Sequence, residues 1–193
     1  SRTNRASIRN ERAGVFAETH WEDWQFAADV GWRDKSLASV SPTFIYAYTV
    51  DARQIGLRAR HAARLAGASN VLVVGHDRGD WSRDVAGTSG SQADQTSKGW
   101  YLKDDLTLAG GTRLSAGVRT ESIDKRLSRT AGPVQLADRE NAWELGLSQP
   151  LSGSTTAWAR MGNSFRLANV DEFSFTNPNV AIRPQTSRDL ESG

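Results

Sequence analysis

Cysteine is missing from all 193 residues, which excludes disulfide bonds and thiolate metal sites without by itself naming a compartment. No stretch approaches the ~18 consecutive apolar residues that a spanning helix needs, so no such helix is expected. Charge of one sign is lacking as well. Lys and Arg number 24 against 22 Asp and Glu, a formal net charge of +2, and the two signs are interleaved along the chain. The computed pI of about 9.2 therefore reflects a slight excess of Arg, and no nucleic-acid partner is expected. The single methionine is Met161, the first residues read as the middle of something, and the last ones begin a strand they do not finish. The chain is therefore expected to be an excerpt, and the lack of a signal peptide carries no information.

Signatures of catalysis are missing too. There is no G-x-S-x-G, phosphate-binding loop or nucleophile–base arrangement. Asp104 and Asp105 are neighbours in a segment of period two, so they point to opposite faces and cannot act together as a carboxylate pair. His20, His61 and His76 show no metal-ligand spacing and are expected to be exposed or to face an interior lumen. The Arg78-Gly79-Asp80 triplet is read as coincidence. Neither an enzyme nor a bound cofactor or metal is expected.

What the sequence does contain is alternation. In WQFAADVGW, Trp24, Phe26, Ala28, Val30 and Trp32 fall on one side, and Gln25, Ala27, Asp29, Gly31 and Arg33 on the other. Trp100, Leu102, Leu106 and Leu108 repeat the pattern, with Asp104 breaking the apolar row. So do Leu114, Ala116 and Val118, and Trp143, Leu145 and Leu147. Weaker cases centre on Val15 and Ala17, on Ile55, Leu57 and Ala59, on Val71 and Val73, and on Ala157, Ala159 and Met161. The result is about eight strands and no convincing helix, an all-β antiparallel meander.

The connections alternate in length. HWED, LAGAS, AGGT and QPLSGS are hairpin turns, with Gly and Pro where tight turns need them. Between them lie longer stretches, DKSLASVSPTFIYAY, DWSRDVAGTSGSQADQTSK, SIDKRLSRTAGPVQLADRE and residues 165–186, which read as loops. In a meander this puts every tight turn on one edge and every long loop on the other, the asymmetry of bacterial outer-membrane β-barrels. A soluble β-sandwich or barrel would also alternate. Against it, one face carries Arg58, Arg60, Asp105, Arg113 and Arg119, and Trp24 and Trp32 close both ends of the second strand as girdle residues do. A membrane barrel is therefore expected, with Trp24, Phe26, Val30, Leu102, Leu106, Leu114, Val118, Trp143, Leu145 and Leu147 facing lipid. Arg33, Lys103, Arg113, Arg119 and Glu144 would then face the lumen.

SFRLANVDEF followed by NPNVAIRPQTSRDLESG resembles the barrel of TonB-dependent outer-membrane receptors. There a strand rises into F-R-x-P-x-x-x-E-L, and N-P-x-L-x-P-E-x-S-x-x-Y-E-x-G starts the next strand down. The matching residues are Phe165, Arg166, Asp171, Glu172, Phe173, Asn177, Pro178, Pro184, Ser187, Glu191 and Gly193. Ala168, Gln185 and Leu190 stand where the family prefers Pro, Glu and Tyr, and Ser192 sits inside the usual E-L-G. Pro184 suits the residues just before a strand, Asn177-Pro178 favours a turn, and 170–173 is expected to form a short helical turn capped by Asn169.

The resemblance implies that residues 1–193 are part of a barrel of about 22 strands, with the plug domain and its TonB box outside this stretch. It also implies a cell outer membrane of a Gram-negative bacterium, contact with lipid and lipopolysaccharide, the TonB complex as partner through the plug, and active import of a small-molecule metal chelate. A ferric siderophore is the first expectation; the alternatives are haem or cobalamin within the family, or a porin-like or adhesin barrel. Two candidate ligand loops follow. One runs from Ser36 to Tyr48 and carries Phe44, Tyr46 and Tyr48 for stacking; the other runs from Ile123 to Arg139 and carries Lys125, Arg126, Arg129 and Arg139 for an anionic complex or for lipopolysaccharide phosphates.

Overall fold

The computed structural model describes residues 5–41, 44–87, 90–128, 132–168, 172 and 182–193. Alternation over long stretches, with no interior proline, produces nine strands: β1 (Arg5–Trp21), β2 (Trp24–Ser41), β3 (Phe44–Leu65), β4 (Ala68–Ala86), β5 (Ser91–Thr107), β6 (Arg113–Ser128), β7 (Val134–Pro150), β8 (Thr156–Arg166) and β9 (Gln185–Ser192). They form one sheet in chain order, every neighbouring pair antiparallel, so β1 and β9 are its two edges. The count exceeds the expected eight by the terminal strand, which pairs with β8 from Ala159–Ser192 to Arg166–Gln185.

The tight turns lie where Gly and short connections put them. Glu22 (φ 53°) turns β1 into β2. Ala66 (φ 49°) and Gly67 (φ 80°) make the two-residue turn between β3 and β4, a geometry whose positive φ values match the twist of the strands. Residues 108–112 are closed by Leu108 N–H to the Thr112 carbonyl at 2.8 Å, and residues 151–155 by Leu151 N–H to the Thr155 carbonyl at 2.9 Å.

At the opposite edge the expectation of long loops is corrected. β2 and β3 remain paired up to Ser41 and Phe44, β4 and β5 up to Val85 and Ser91, and β6 and β7 up to Leu127 and Val134. Most of the supposed loop residues are strand, and the sheet itself continues beyond its apolar part, since β3 also pairs with β4 up to Ala47 and Ala86, and β5 with β6 up to Gln92 and Ser128. The physical reason is that ladder hydrogen bonds do not require an apolar face, whereas the periodicity used to recognise strands does. The stretch between Arg166 and Gln185 falls mostly outside the described residues.

Register sorts the side chains, because directly opposed residues share a face. Val30 stands opposite Val15 and Ile55, Val74 opposite Ala59 and Leu102, and Leu102 opposite Val118. Val118 in turn opposes Trp143, and Leu145 opposes Ala116 and Met161. All ten residues expected to face lipid lie on this one apolar face, and all five expected lumen residues lie on the other. One assignment changes: in VLVV, Leu72 and Val74 belong to the apolar face, while Val71 and Val73 oppose Ala62 and Arg60 on the polar one.

Hardly anything here is a core. Among the described residues only Ala93, Ile123, Leu127 and Ala168 are buried hydrophobics, while Trp21, Phe26, Leu57, Trp100, Val118 and Leu145 are exposed. The accessible surface is 13434 Å², against about 9,000 Å² for a compact soluble protein of this mass. A sheet that leaves its large apolar residues uncovered is a wall whose stability must come from an apolar surrounding.

Candidate functional site

Two zones stand out on the polar face. Nearer the tight turns is a ladder of opposite charges. Arg119 reaches Asp77 at 3.0 Å and Glu121 at 2.9 Å, and its guanidinium lies 5.8 Å from the Tyr101 ring centroid. Lys103 sits 3.7 Å from Glu144, which Arg160 also contacts at 3.2 Å, and Arg113 lies 3.2 Å from Asp105. Two glycines make this possible. The Tyr101 ring lies across Gly75 and the Arg119 guanidinium across Gly99, each in the space a Cβ would occupy. The long side chains are thereby laid flat along the wall.

Farther up, beyond the apolar band of the other face, the polar face changes character. Arg12 opposes Arg33, and Asn10 opposes Lys35, with Arg33 Nε donating to Asn10 Oδ1 at 3.1 Å. Lys35 is paired with Val50, which opposes Arg83; Arg83 opposes Ala93, and Gln95 opposes Lys125. Every cation named here points to the polar face; among the described residues the rows from Arg12–Arg33 upward hold no carboxylate there, although Asp138, one step below on β7, reaches up to Lys125 at 2.7 Å. Aromatic rings are set among these cations. Tyr46 and Tyr48 meet edge to face at 5.8 Å, Lys35 Nζ is 5.4 Å from the Tyr48 ring, and Arg83 lies 6.0 Å from Trp81. Trp81 and Val134 pack against buried Ala93 and Leu127.

The candidate ligand residues are redistributed by this geometry. Tyr46 and Tyr48 are on β3, not on a loop, and do face the polar side; Phe44 begins the same strand. Lys125 and Arg126 are on β6 and point to opposite faces. Lys125 is 1% exposed and bonds Asp138 at 2.7 Å, whereas Arg126 and Arg139 lie on the apolar-face side, above the band. Arg129 lies outside the described residues. The cation that Tyr48 does meet, Lys35, was not anticipated, and neither were Arg83 and the Trp81 it lies beside. Their signal was present as continued alternation in R-D-K (33–35) and W-S-R (81–83), hidden because neither face there is apolar.

Of the motif residues, Phe165 and Arg166 end β8, Pro184 precedes β9, and Ser187 and Glu191 lie on β9. Arg166 pairs with Glu172 and reaches Gln185 Oε1 at 3.5 Å, Ser187 bonds Ser164 at 2.7 Å, and Gly193 exchanges backbone hydrogen bonds with Trp158 at 2.8 and 3.0 Å. Asp171, Phe173, Asn177 and Pro178, and the cap at Asn169, lie outside the described residues. The histidines do not converge: His61 lies tilted against Trp24 and His76 tilted against Trp100, both on the apolar face, while His20 lies beside Glu18. Among the described residues no group of three or more metal-ligating side chains is assembled.

Residues 2–193 match the family described as TonB dependent receptor-like, beta-barrel. No curated protein sequence matches. Among solved structures, the unliganded ferric citrate transporter FecA aligns over 100% of this chain and 33% of its own, with TM-score 0.83 and 14% identity. The siderophore receptor PiuA from Acinetobacter baumannii aligns over 99% and 38%, with TM-score 0.82 and 10% identity. The copper transporter OprC aligns over 97% and 36%, with TM-score 0.74 and 19% identity. The chain thus spans about a third of the length of these proteins, and at such identities the likeness is one of fold.

Proposed function

The chain belongs to the TonB-dependent receptor β-barrel family of the Gram-negative outer membrane, and from that premise we propose that it is part of the wall of an active importer of an anionic ferric siderophore. Its apolar face then meets lipid and its polar face lines the lumen. The tight turns are periplasmic, as short turns are in outer-membrane barrels, and the upper part of the sheet rises outside the cell. Uptake in this reading is driven by the TonB complex acting on a plug seated against the charge ladder. The family is one of receptors and transporters, not enzymes.

The observation that carries the cargo assignment is the sign of the upper lumen wall. Arg12, Arg33, Lys35 and Arg83 point inward, interleaved with Tyr46, Tyr48 and Trp81, while Lys125 on the same face is buried against Asp138. Such a surface attracts anions from a distance and stacks flat groups at contact. A bare metal cation would be repelled by it, so the fold shared with a copper transporter does not extend to the charge of the cargo this wall favours.

The test is affinity of the full-length receptor for a ferric catecholate and for ferric citrate. Reversing charge with Lys35→Glu and Arg83→Glu together should weaken binding at least about tenfold and flatten its salt dependence. Unchanged affinity for every anionic chelate would overturn the assignment. Tight binding of haem or cobalamin in place of the iron chelates would move the receptor to those substrates.

A further inference from the structure

Where β7 and β8 part, a side chain stands in for backbone. The two strands pair from Pro150–Thr156 up to Trp143–Asn163 and no farther, although β7 runs on to Val134 against β6 and β8 runs on to Arg166 against β9. Trp143 is the last residue of the apolar row on β7, so the parting begins at the top of the band. At this last rung the Trp143 N–H donates to Asn163 Oδ1 at 2.8 Å, and Asn163 Nδ2 donates to the Asn141 carbonyl at 3.0 Å. Were the pairing to continue in register, Asn141 and Phe165 would come next, each giving its N–H to the other's carbonyl. A carboxamide carries the same acceptor and donor as a peptide group. That of Asn163 meets the donor of Trp143 and the acceptor of Asn141, the groups a continuing ladder would give to the β8 backbone.

Above that rung each side is tied to its own neighbours. Ser164 bonds Ser187 at 2.7 Å, and Arg166 holds Glu172 and reaches Gln185 Oε1 at 3.5 Å, all within the β8–β9 side. On the other side β7 stays in register with β6 from Glu121–Glu140 to Leu127–Val134, and Lys125 bonds Asp138 at 2.7 Å. Among the described residues no hydrogen bond or ion pair joins 134–140 to 164–166. The bonds of Trp143 and Asn141 also fix the phase of the backbone: odd residues of β7 aim at β8 and even ones at β6. The N–H groups of Asn141, Arg139 and Ala137 therefore have no strand partner among the described residues. We propose that Asn163 is a ladder stop that splits the wall above the apolar band and makes a hinge there. The upper ends of β8 and β9 swing as one body against β1–β7, which widens or narrows the mouth of the barrel without breaking a strand ladder. The inference uses the placement of the wall in the outer membrane but not the identity of the cargo.

The test is residue-resolved amide exchange in the full-length receptor in lipid vesicles. In the native protein Asn141, Arg139 and Ala137 should exchange at least about tenfold faster than Glu140, Asp138 and Leu136, whose N–H groups aim at β6. Asn163→Val removes the carboxamide and favours strand, so β7 and β8 should zip one step farther and slow the Asn141 and Phe165 amides at least about tenfold. The swing itself is read from spin labels on Gln135→Cys and Thr186→Cys, one on each side of the parting. Their distance distribution should be broad in the native background and narrow in Asn163→Val. Equal protection of the odd and even amides, unchanged exchange at Asn141 and Phe165 in the variant, or a single narrow distance in the native background would overturn the proposal. If Asn163→Val fails to fold, the native exchange pattern and the native distances decide the question.

Discussion

Asp104 is the residue most at odds with its surroundings. It shares the lipid-facing side of β5 with Trp100, Leu102 and Leu106, and its carboxylate accepts a 2.6 Å hydrogen bond from Asn70 Nδ2. One amide cannot replace the hydration a carboxylate loses in hydrocarbon. Asp104→Leu is therefore expected to raise the urea midpoint of the full barrel in lipid vesicles. Leu145→Arg, on the same row of the sheet, should lower stability by roughly 2–4 kcal/mol. Loss of stability in Asp104→Leu would show that the carboxylate has a role this account does not give it. Asp104 was visible in the sequence as a gap in an apolar row, because its neighbours two residues away on both sides fix the phase. In VLVV the phase was hidden, since apolar residues on both faces give alternation nothing to mark. Lys125 and Arg126 show a further limit. A cluster of basic letters reads as one surface, yet adjacent residues on a strand point apart, and only the knowledge that 125–126 is strand sends one to the lumen and the other outward.

At the scale of elements, the band itself was legible. The apolar rows from Trp24 to Trp32 and, interrupted at Asp104, from Trp100 to Leu108 are about as long as a tilted strand needs to traverse hydrocarbon, and the tight turns announce themselves with Gly and Pro. The strand segments above the band were not legible as strand. Polar and apolar letters stand on both of their faces, as Leu37 and Val40 or Ile45 and Tyr46 do, so hydropathy does not mark the phase. Ser36–Ser41 paired with Phe44–Thr49, and Trp81–Val85 paired with Ser91–Gln95, are the instances. Deleting 125–138 would consequently cut away strand ends and not a free loop, so point changes are the sounder probe of binding. Amide exchange in the reconstituted receptor should find Asp80–Val85 and Ser91–Thr96 protected well above unstructured peptide, with protection declining smoothly toward the tip. Uniformly fast exchange above Lys98 would mean that these segments are loops.

The molecule as a whole is organised by solvent. Its faces meet different surroundings, lipid on one side and an aqueous lumen on the other, which explains why so little is buried and why the accessible area is far above that of a compact protein. Charge follows the same geometry, with a mixed ladder at mid-height on the polar face and Arg12, Arg33, Lys35 and Arg83 above it. The proposed roles of both depend on one assignment, that of face. The absence of cysteine allows this to be measured cleanly, since single cysteines introduced from Trp100 to Leu106 can carry the only spin label in this part of the receptor. In lipid vesicles, collision with oxygen should be high and collision with a water-soluble nickel chelate low at positions 100, 102, 104 and 106, with the reverse at 101, 103 and 105. Loss of that two-residue alternation, or the opposite phase, would contradict the account.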